Sequence, residues 1–245
     1  MKTVFINCSP KKRFSASSYL LALQRLFVRG EKITEKLQNR KDHERILNTL
    51  KDADAVVFCL PLYVDGVPSH VLRFLQEMEC FSRDNDVHLI LYTVSNNGFI
   101  EGRQSEPLLQ IFQNFCQRAG LSWGRGVGIG GGVMLNFTRI LLVAQLGLLL
   151  LNLFFNVFQG GNISLIITIK SYAVNVLVLL FLNFGVLYYI LRMGISVNRK
   201  KSFGKKYTRI LIPSFVFILF ADIFFILISV LQGGIFRGWL AKKKA

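Results

Sequence analysis

Three short segments carry the residue types that could do chemistry. The first, Ser9-Pro10-Lys11-Lys12-Arg13-Phe14-Ser15-Ala16-Ser17-Ser18, concentrates hydroxyls and cations just ahead of a helical pattern. Free backbone amides, a helix dipole and hydroxyl donors converging at one place suit a phosphate group. The Gly-Lys-Ser/Thr ending of a Walker A loop is missing. The second segment, Pro61-Leu62-Tyr63-Val64-Asp65-Gly66-Val67-Pro68, combines rigid prolines, an aromatic ring and a glycine, the makings of a wall against a flat heterocycle. The third, Ser95-Asn96-Asn97-Gly98-Phe99-Ile100-Glu101-Gly102, is rich in small and amide residues that allow close backbone approach. Each also has a plainer reading: a capped helix start, a strand-to-helix turn, a loop.

What decides between the readings is where the surrounding elements put these segments. Residues 1–134 alternate apolar, β-branched runs with helical stretches. Strands are expected at Lys2–Cys8, Glu31–Gln38, Ala53–Leu60, Val87–Val94 and Leu121–Ile129, and helices at Ser17–Arg29, His43–Lys51, Pro68–Cys80 and Gln104–Ala119. Strands separated by helices of this length imply βαβ units on a parallel sheet. The expected fold is therefore α/β, a doubly wound five-stranded parallel sheet, whose ligand sits beyond the C-terminal ends of the strands. All three segments leave those ends. A phosphate at the first and a planar ring at the other two describe a mononucleotide.

The same segments carry a family resemblance. Residues 1–134 resemble the flavodoxin-like NAD(P)H-dependent FMN reductase and quinone reductase group. That group's phosphate loop, a strand followed by Gly/Cys-Ser-Pro-(Lys/Arg)-x-x-Ser-x-(Ser/Thr), is matched by Cys8, Ser9, Pro10 and Lys11 through Ser15, Ser17 and Ser18. Its flavin-facing Pro-Leu-Tyr-x-(Asp)-x-x-Pro segment is matched by Pro61, Leu62, Tyr63, Asp65 and Pro68. Relatives also share the Gly98-Phe99-Ile100-Glu101-Gly102 segment and an Ala-Gly-Leu-x-Trp-Gly…Gly-Ile-Gly-Gly-Gly ending, here Ala119 to Gly132. The resemblance implies FMN as cofactor, with Ser9, Pro10, Lys11, Ser15, Ser17 and Ser18 around the phosphate. Pro61, Leu62, Tyr63, Val64, Asp65, Gly66, Asn96, Asn97, Gly98 and Phe99 then line the ring. It implies NADH or NADPH as co-substrate and a small electron acceptor such as a quinone or another flavin. Members of the group are often dimers, so a homodimer is also implied. The flavin carries the chemistry in such a protein, and no side chain need act as acid or base. Gly126-x-Gly128-x-x-Gly131 formally matches a dinucleotide fingerprint, but no acid follows at the required distance.

The resemblance ends near Leu135, where composition changes. The chain has 245 residues, 52% of them hydrophobic, and a formal net charge of +16. Residues 137–245 hold 13 Lys/Arg and one acid, Asp222. Hydrophobicity and positive charge rise together there, which a soluble nucleic-acid binder does not need. Spans are expected at about 138–158, 171–191 and 210–231, each near the 20 residues that cross a bilayer. The expectation is an all-α transmembrane region, 135–245, after a flavodoxin-like FMN-binding domain, 1–134. Gln145, Asn152 and Asn156 share one helical face, as do Asn175 and Asn183, which suits interhelical hydrogen bonds or a quinone headgroup. Asp222 is costly in a span unless paired. Seven basic residues between Arg192 and Arg209 place that loop in the cytosol with the head, by the bias of cations to the inner side. The tail, with Arg237, Lys242, Lys243 and Lys244, then falls outside, against the same bias.

Cys8, Cys59, Cys80 and Cys116 stand far apart, so neither a disulfide framework nor a metal site is expected. The reading as a whole is a multi-pass, cell-membrane FMN-dependent NAD(P)H oxidoreductase with its N-terminal domain in the cytosol. Its partners are a nicotinamide nucleotide, a small acceptor and the lipid bilayer, and no nucleic acid. The rivals are a tethered one-electron carrier of flavodoxin type and a non-catalytic membrane protein with a degenerate head.

Overall fold

The computed structural model describes residues 1–11, 15–159 and 165–231. Lys12 and Arg13, the middle of the expected outer loop, the Asn156 side chain and the basic tail fall outside the described residues. Six strands form one parallel sheet: β1 (Lys2–Asn7), β2 (Glu31–Lys36), β3 (Ala55–Pro61), β4 (Ile90–Asn96), β5 (Ser122–Gly130) and β6 (Gly204–Arg209). They run in the order β2-β1-β3-β4-β5-β6. The first five follow the 2-1-3-4-5 order of doubly wound, flavodoxin-like sheets. Helices α1 (Ala16–Phe27), α2 (His43–Leu50), α3 (Ser69–Asp84) and α4 (Glu106–Ala119) make the crossovers.

Alternation along the strands supplies two apolar faces, as a sheet covered on both sides requires. Val4, Ile6, Val56, Phe58 and Leu91 join the core under α2, α3 and α4. There the Phe58 ring sits 5.2 Å from Phe112 and 6.2 Å from Phe74. Phe5, Val57 and Tyr92 are in register on the opposite face. That face is covered by α1 and by a helix the sequence reading assigned to the membrane.

The chain leaves β5 into α5 (Gly132–Gln159), continues through α6 (Leu165–Leu182) and bends by 66° at Asn183 into α7 (Phe184–Asn198). Val186, Ile190, Met193, Gly194 and Val197 of α7 are buried, at helical spacing, against α1, β5 and β6. The approach is close: a Cβ added to Gly194 would stand 2.6 Å from the Phe27 Cβ. Asn198 accepts from the Arg29 amide at 2.7 Å and donates to the Phe27 carbonyl at 2.9 Å, closing the end of α1. With its amide turned to match donor to acceptor, Gln24 of α1 donates to Ile190 O at 3.1 Å and accepts from Gly194 N at 3.0 Å.

Three expectations change accordingly. The sheet has six strands and not five, because β6 adds to β5 from Arg125↔Gly204 to Gly130↔Arg209. The α/β architecture therefore draws on both sides of the boundary expected at 134/135. The span expected at 171–191 is not one straight helix. Hydropathy alone cannot tell a lipid-facing run from one that covers a sheet, and the second half of this run covers a sheet. In place of the span expected at 210–231 there is α8 (Ser214–Leu231), whose apolar stretch, Ser214–Leu227, is shorter than a membrane-crossing helix. Ile210 is buried, and the Leu211 amide donates to Leu182 O at 2.8 Å. Residues from Ile212 onward form a separate unit, in which Asp222 is exposed.

Among the described residues one helix is able by length and composition to cross a membrane, Gly132–Phe155 within α5, with only 6% of its most apolar window buried in the protein. The α6–α7 pair meets the same criteria only jointly, across its bend. Asn152 donates to the Tyr172 hydroxyl at 2.8 Å and ties α5 to α6. Asn183 turns back on Leu179 O at 2.8 Å and marks the bend.

Candidate functional site

Each of the three segments follows a strand at its C-terminal end, so the sheet gathers them. A cleft of about 180 Å³ opens there. Ser9, Lys11, Ser15 and Ser17 line it from the first segment, Pro61, Leu62 and Tyr63 from the second, and Asn96, Asn97 and Gly98 from the third. Ala16, Gly132 and Val133 complete it, and the sequence reading did not single these out. Gly132 and Val133 open α5, so two helix N-termini, those of α1 and α5, meet at the cleft. A diglycine after a strand and before an apolar helical run was the available signal for the second.

The hydroxyls are arranged as donors. Ser15 is the N-cap of α1, and its Oγ accepts from the Ser18 amide at 3.1 Å. Ser17 Oγ accepts from Asn96 Nδ2 at 2.8 Å, and Ser9 Oγ from the Lys11 amide at 3.4 Å. Each oxygen thus takes a protein proton, which leaves its own O–H to donate elsewhere. The amides of Ala16 and Ser17, in the first turn, have no intrahelical acceptor. Lys11 adds a cation, and no acid is among the lining residues. Ser9, Ser15, Ser17, Asn96 and Asn97 are all buried.

Ser18 is different. Its Oγ donates to Ser15 O at 2.8 Å and accepts from Ser15 N at 3.1 Å, closing a capping box. It does not line the cleft. Pro10 is exposed, and its carbonyl accepts from Gln38 Nε2 at 3.2 Å, which anchors the loop to the end of β2.

The second and third segments are locked to each other. Leu62 N donates to Asn96 O at 2.8 Å, and Asn96 Nδ2 donates to Leu60 O at 3.2 Å. Beyond Leu62 the chain turns sharply: Tyr63 and Gly66 exchange backbone hydrogen bonds at 3.1 and 2.9 Å. The turn holds Val64 at φ 44° and Asp65 at φ 55°. Two consecutive left-handed residues are the hairpin geometry that favours Asn-Gly, and a β-branched residue there is strained. Val64 is wholly exposed at the tip, and Val64, Asp65 and Gly66 do not line the cleft. Phe99 is 55% exposed and also off the lining, whereas Tyr63 is 44% exposed and on it.

Asn97 joins the third segment to α5: its amide donates to Ile129 O at 3.0 Å, and its carbonyl accepts from Gly132 N at 2.7 Å. Asn97 Nδ2 donates to Glu101 O and Ser105 Oγ, both at 3.2 Å, while Oδ1 is buried without a protein partner. The Gly98–Ser105 stretch then crosses β5 so closely that a Cβ on Gly128 would stand 2.5 Å from Gly102 O. The glycine-rich ending of β5 is the clearance for that crossing.

Behind the first loop, His70 of α3 points Nε2 at the Cys8 carbonyl, 3.1 Å away. A carbonyl only accepts, so Nε2 carries the proton. Burial holds this imidazole below its usual pKa, against the raising effect of the Cys8 contact, and His43 lowers it further. Burial also pushes the Cys8 thiol far up, with a smaller contribution from Cys59, so Cys8 stays a protonated packing residue under the loop.

No family model matches this sequence, and no curated protein does. Solved structures match about half of it. The Trp repressor binding protein of Bacillus subtilis is 18% identical, covering 51% of this chain and 86% of that one, with a TM-score of 0.43. A flavodoxin, WrbA-like protein from Agrobacterium tumefaciens is 14% identical over 50% and 76%, with a TM-score of 0.43. An NADPH-quinone reductase from P. pentosaceus is 15% identical over 50% and 81%, with a TM-score of 0.41.

Proposed function

We propose that this protein is a membrane-anchored flavin oxidoreductase that binds FMN in the cleft and is reduced by NADH or NADPH. The observation that carries the reading is the donor set. Ser9, Ser15 and Ser17 with free O–H groups, the first-turn amides of α1, and Lys11 stand together with no acid among the lining residues. Such a set fits a phosphate dianion and little else, since every group in it donates or is positive. Beside it, the cleft is walled by Pro61, Leu62, Tyr63 and the amide-rich Asn96–Gly98 backbone, which suits a flat, polar-edged ring. One phosphate is catered for, which favours a mononucleotide over a dinucleotide as the resident group.

Bound FMN supplies hydride and electron transfer between a nicotinamide and a small acceptor. The chain's own residues bind and orient. Ser9, Ser15 and Ser17 would hold the phosphate end, and Asn96, by donating to Ser17 Oγ, leaves that hydroxyl's proton for the anion. Tyr63, half-exposed at the rim, meets whatever approaches from solvent. The α5–α6 pair, tied at Asn152–Tyr172 and exposing leucines, valines and phenylalanines along its length, anchors the protein in the bilayer. Both ends of the pair meet the sheet domain, so the anchor is a hairpin with the head on one side.

Purification in detergent tests this directly. The preparation should be yellow and release FMN and not FAD. Its colour should bleach anaerobically with NADH or NADPH and return with a soluble quinone. A colourless protein that takes up no added FMN overturns the reading. Bleaching by dithionite alone shifts it to a one-electron carrier.

A further inference from the structure

The two outer layers of the sandwich differ in kind. On one side α2, α3 and α4 carry Glu44, Glu77, Glu79, Asp84 and Glu106 along with several arginines. On the other, α1 and α7 contain no acid at all. Apart from Arg192, the exposed residues of both helices are apolar or aromatic. Phe184, Tyr188, Leu191 and Ile195 recur at helical spacing along α7 and are 60, 43, 40 and 37% exposed, while Leu26 of α1 is 73% exposed. The inward residues of α7 are already used against the sheet, so this stripe is a second apolar face on the same helix. A surface helix of a water-soluble domain carries charge there, and an apolar patch of this extent marks a contact surface.

From this asymmetry we infer that the head lies on the bilayer by its α1/α7 layer, with α7 as an interfacial helix. The inference rests on the reading that α5 and α6 enter the membrane. Three observations select lipid as the occupant. The stripe is continuous in sequence with the second half of α6, where Leu177, Val178, Leu180 and Phe181 are exposed. The 66° bend at Asn183 turns α7 most of the way from the direction of α6 toward the perpendicular, so that with α6 upright α7 lies close to the membrane plane. Arg192 on α7, and Arg199 and Lys201 just beyond it, are exposed where anionic headgroups would meet them, and the stripe includes a tyrosine of the kind that settles at membrane interfaces. Because the cleft lies at the N-termini of α1 and α5, this docking sets its mouth beside the headgroups, where a lipid-soluble acceptor arrives.

The test uses the whole chain with Cys80→Ser, since Cys80 is the exposed cysteine and Cys8, Cys59 and Cys116 are buried. Single cysteines Leu26→Cys, Tyr188→Cys and Ile195→Cys carry an environment-sensitive fluorophore, as do Leu151→Cys on α5 and Leu72→Cys on α3. The labelled proteins are reconstituted in phosphatidylcholine vesicles with a quarter phosphatidylglycerol and spin-labelled lipid. At 26, 188 and 195 emission should shift to the blue and be lost more to nitroxides near the headgroup than to deep ones. At 151 the deep nitroxide should quench more, and at 72 neither should. Quenching at 151 but none at 26, 188 and 195 overturns the inference and leaves the anchor standing: α8 or a second copy then covers the layer. Deep quenching at 188 and 195 overturns it in favour of a bent span. No quenching at 151 removes the anchor reading itself.

Discussion

Ser17 and Ser18 look interchangeable in the sequence, and the structure separates them. Replacing Ser17 by Ala removes the one hydroxyl that Asn96 Nδ2 orients from 2.8 Å. A hydrogen bond to a charged group contributes about 1.5–3 kcal/mol, so FMN affinity should fall by roughly 10- to 150-fold. Stability should fall less, by about 1 kcal/mol, because Asn96 Nδ2 keeps Leu60 O at 3.2 Å. Ser18→Ala should do the reverse. Its Oγ is committed to the backbone of Ser15 in both directions, so losing it frays the start of α1 at a cost of about 0.5–2 kcal/mol. The Kd for FMN should then stay within about threefold, as expected for a side chain with no contact to the ligand. Titrating apoprotein with FMN by flavin fluorescence gives the affinities, and thermal unfolding followed by circular dichroism gives the stabilities. Equal weakening of FMN binding by the two variants, or an unchanged Kd for Ser17→Ala, refutes the assignment of donors.

Gly194→Val should destabilise the head by about 1–3 kcal/mol through overpacking against Phe27, read as a lower Tm; an unchanged Tm would mean that α7 does not pack on α1. Val64→Asn should raise stability by about 1 kcal/mol, since left-handed backbone is least costly for Gly, Asn and Asp, and the same melts report it. Burial holds the folded pKa of His70 below the ordinary imidazole value of about 6.5, so the unfolded chain binds more protons. Its contribution to stability is therefore present above about 6.5 and is lost as pH falls through the lower folded value; Tm measured against pH should drop more steeply on the acid side for the wild type than for His70→Gln.

The first five strands and their helices were legible because each βαβ unit is local: an apolar run, a turn and an amphipathic helix fit within about thirty residues. Boundaries fell within a few residues, as at Ala55–Pro61 against the expected Ala53–Leu60. The gathering of three loops followed from topology alone, since all of them leave the same edge. What sequence could not decide was the local work of individual side chains. Ser18 caps and does not line the cleft, Val64 to Gly66 make a protruding turn, and Phe99 stays outside, because each depends on φ and ψ of the loop and not on residue type. The sixth strand was missed for another reason. Gly204–Arg209 reads as a charged linker, with Lys205, Lys206 and Arg209 around Tyr207 and Thr208. Cations are also what an edge strand carries to deter further pairing.

The charge of the cluster from Arg192 to Arg209 predicts a loop held inside, yet part of that charge serves the head. Lys200 Nζ meets Asp54 Oδ1 at 2.6 Å and, with the Lys2 amide, holds that carboxyl below its usual pKa. Lys205 Nζ bonds Glu106 and Gln110 at 2.9 and 3.0 Å. Exposed pairs of this kind add little stability, but they account for Lys200 and Lys205 without a membrane. The stronger constraint is covalent and topological. β5 and β6 are neighbours in one sheet, and α5 and α6 are the chain between β5 and α7. Whatever crosses the bilayer within 132–183 must return to the side it left, because six backbone-paired positions close the loop behind it. Among the described helices, only α8, beyond Leu211, is free of that closure. Removing positive charge should therefore leave the head and the hairpin where they are. A variant with Arg199, Lys201 and Lys206 replaced by Gln should keep a cysteine at Ser202 protected from impermeant maleimide on intact cells, and labelling of that cysteine would show that charge, and not the sheet, sets the arrangement.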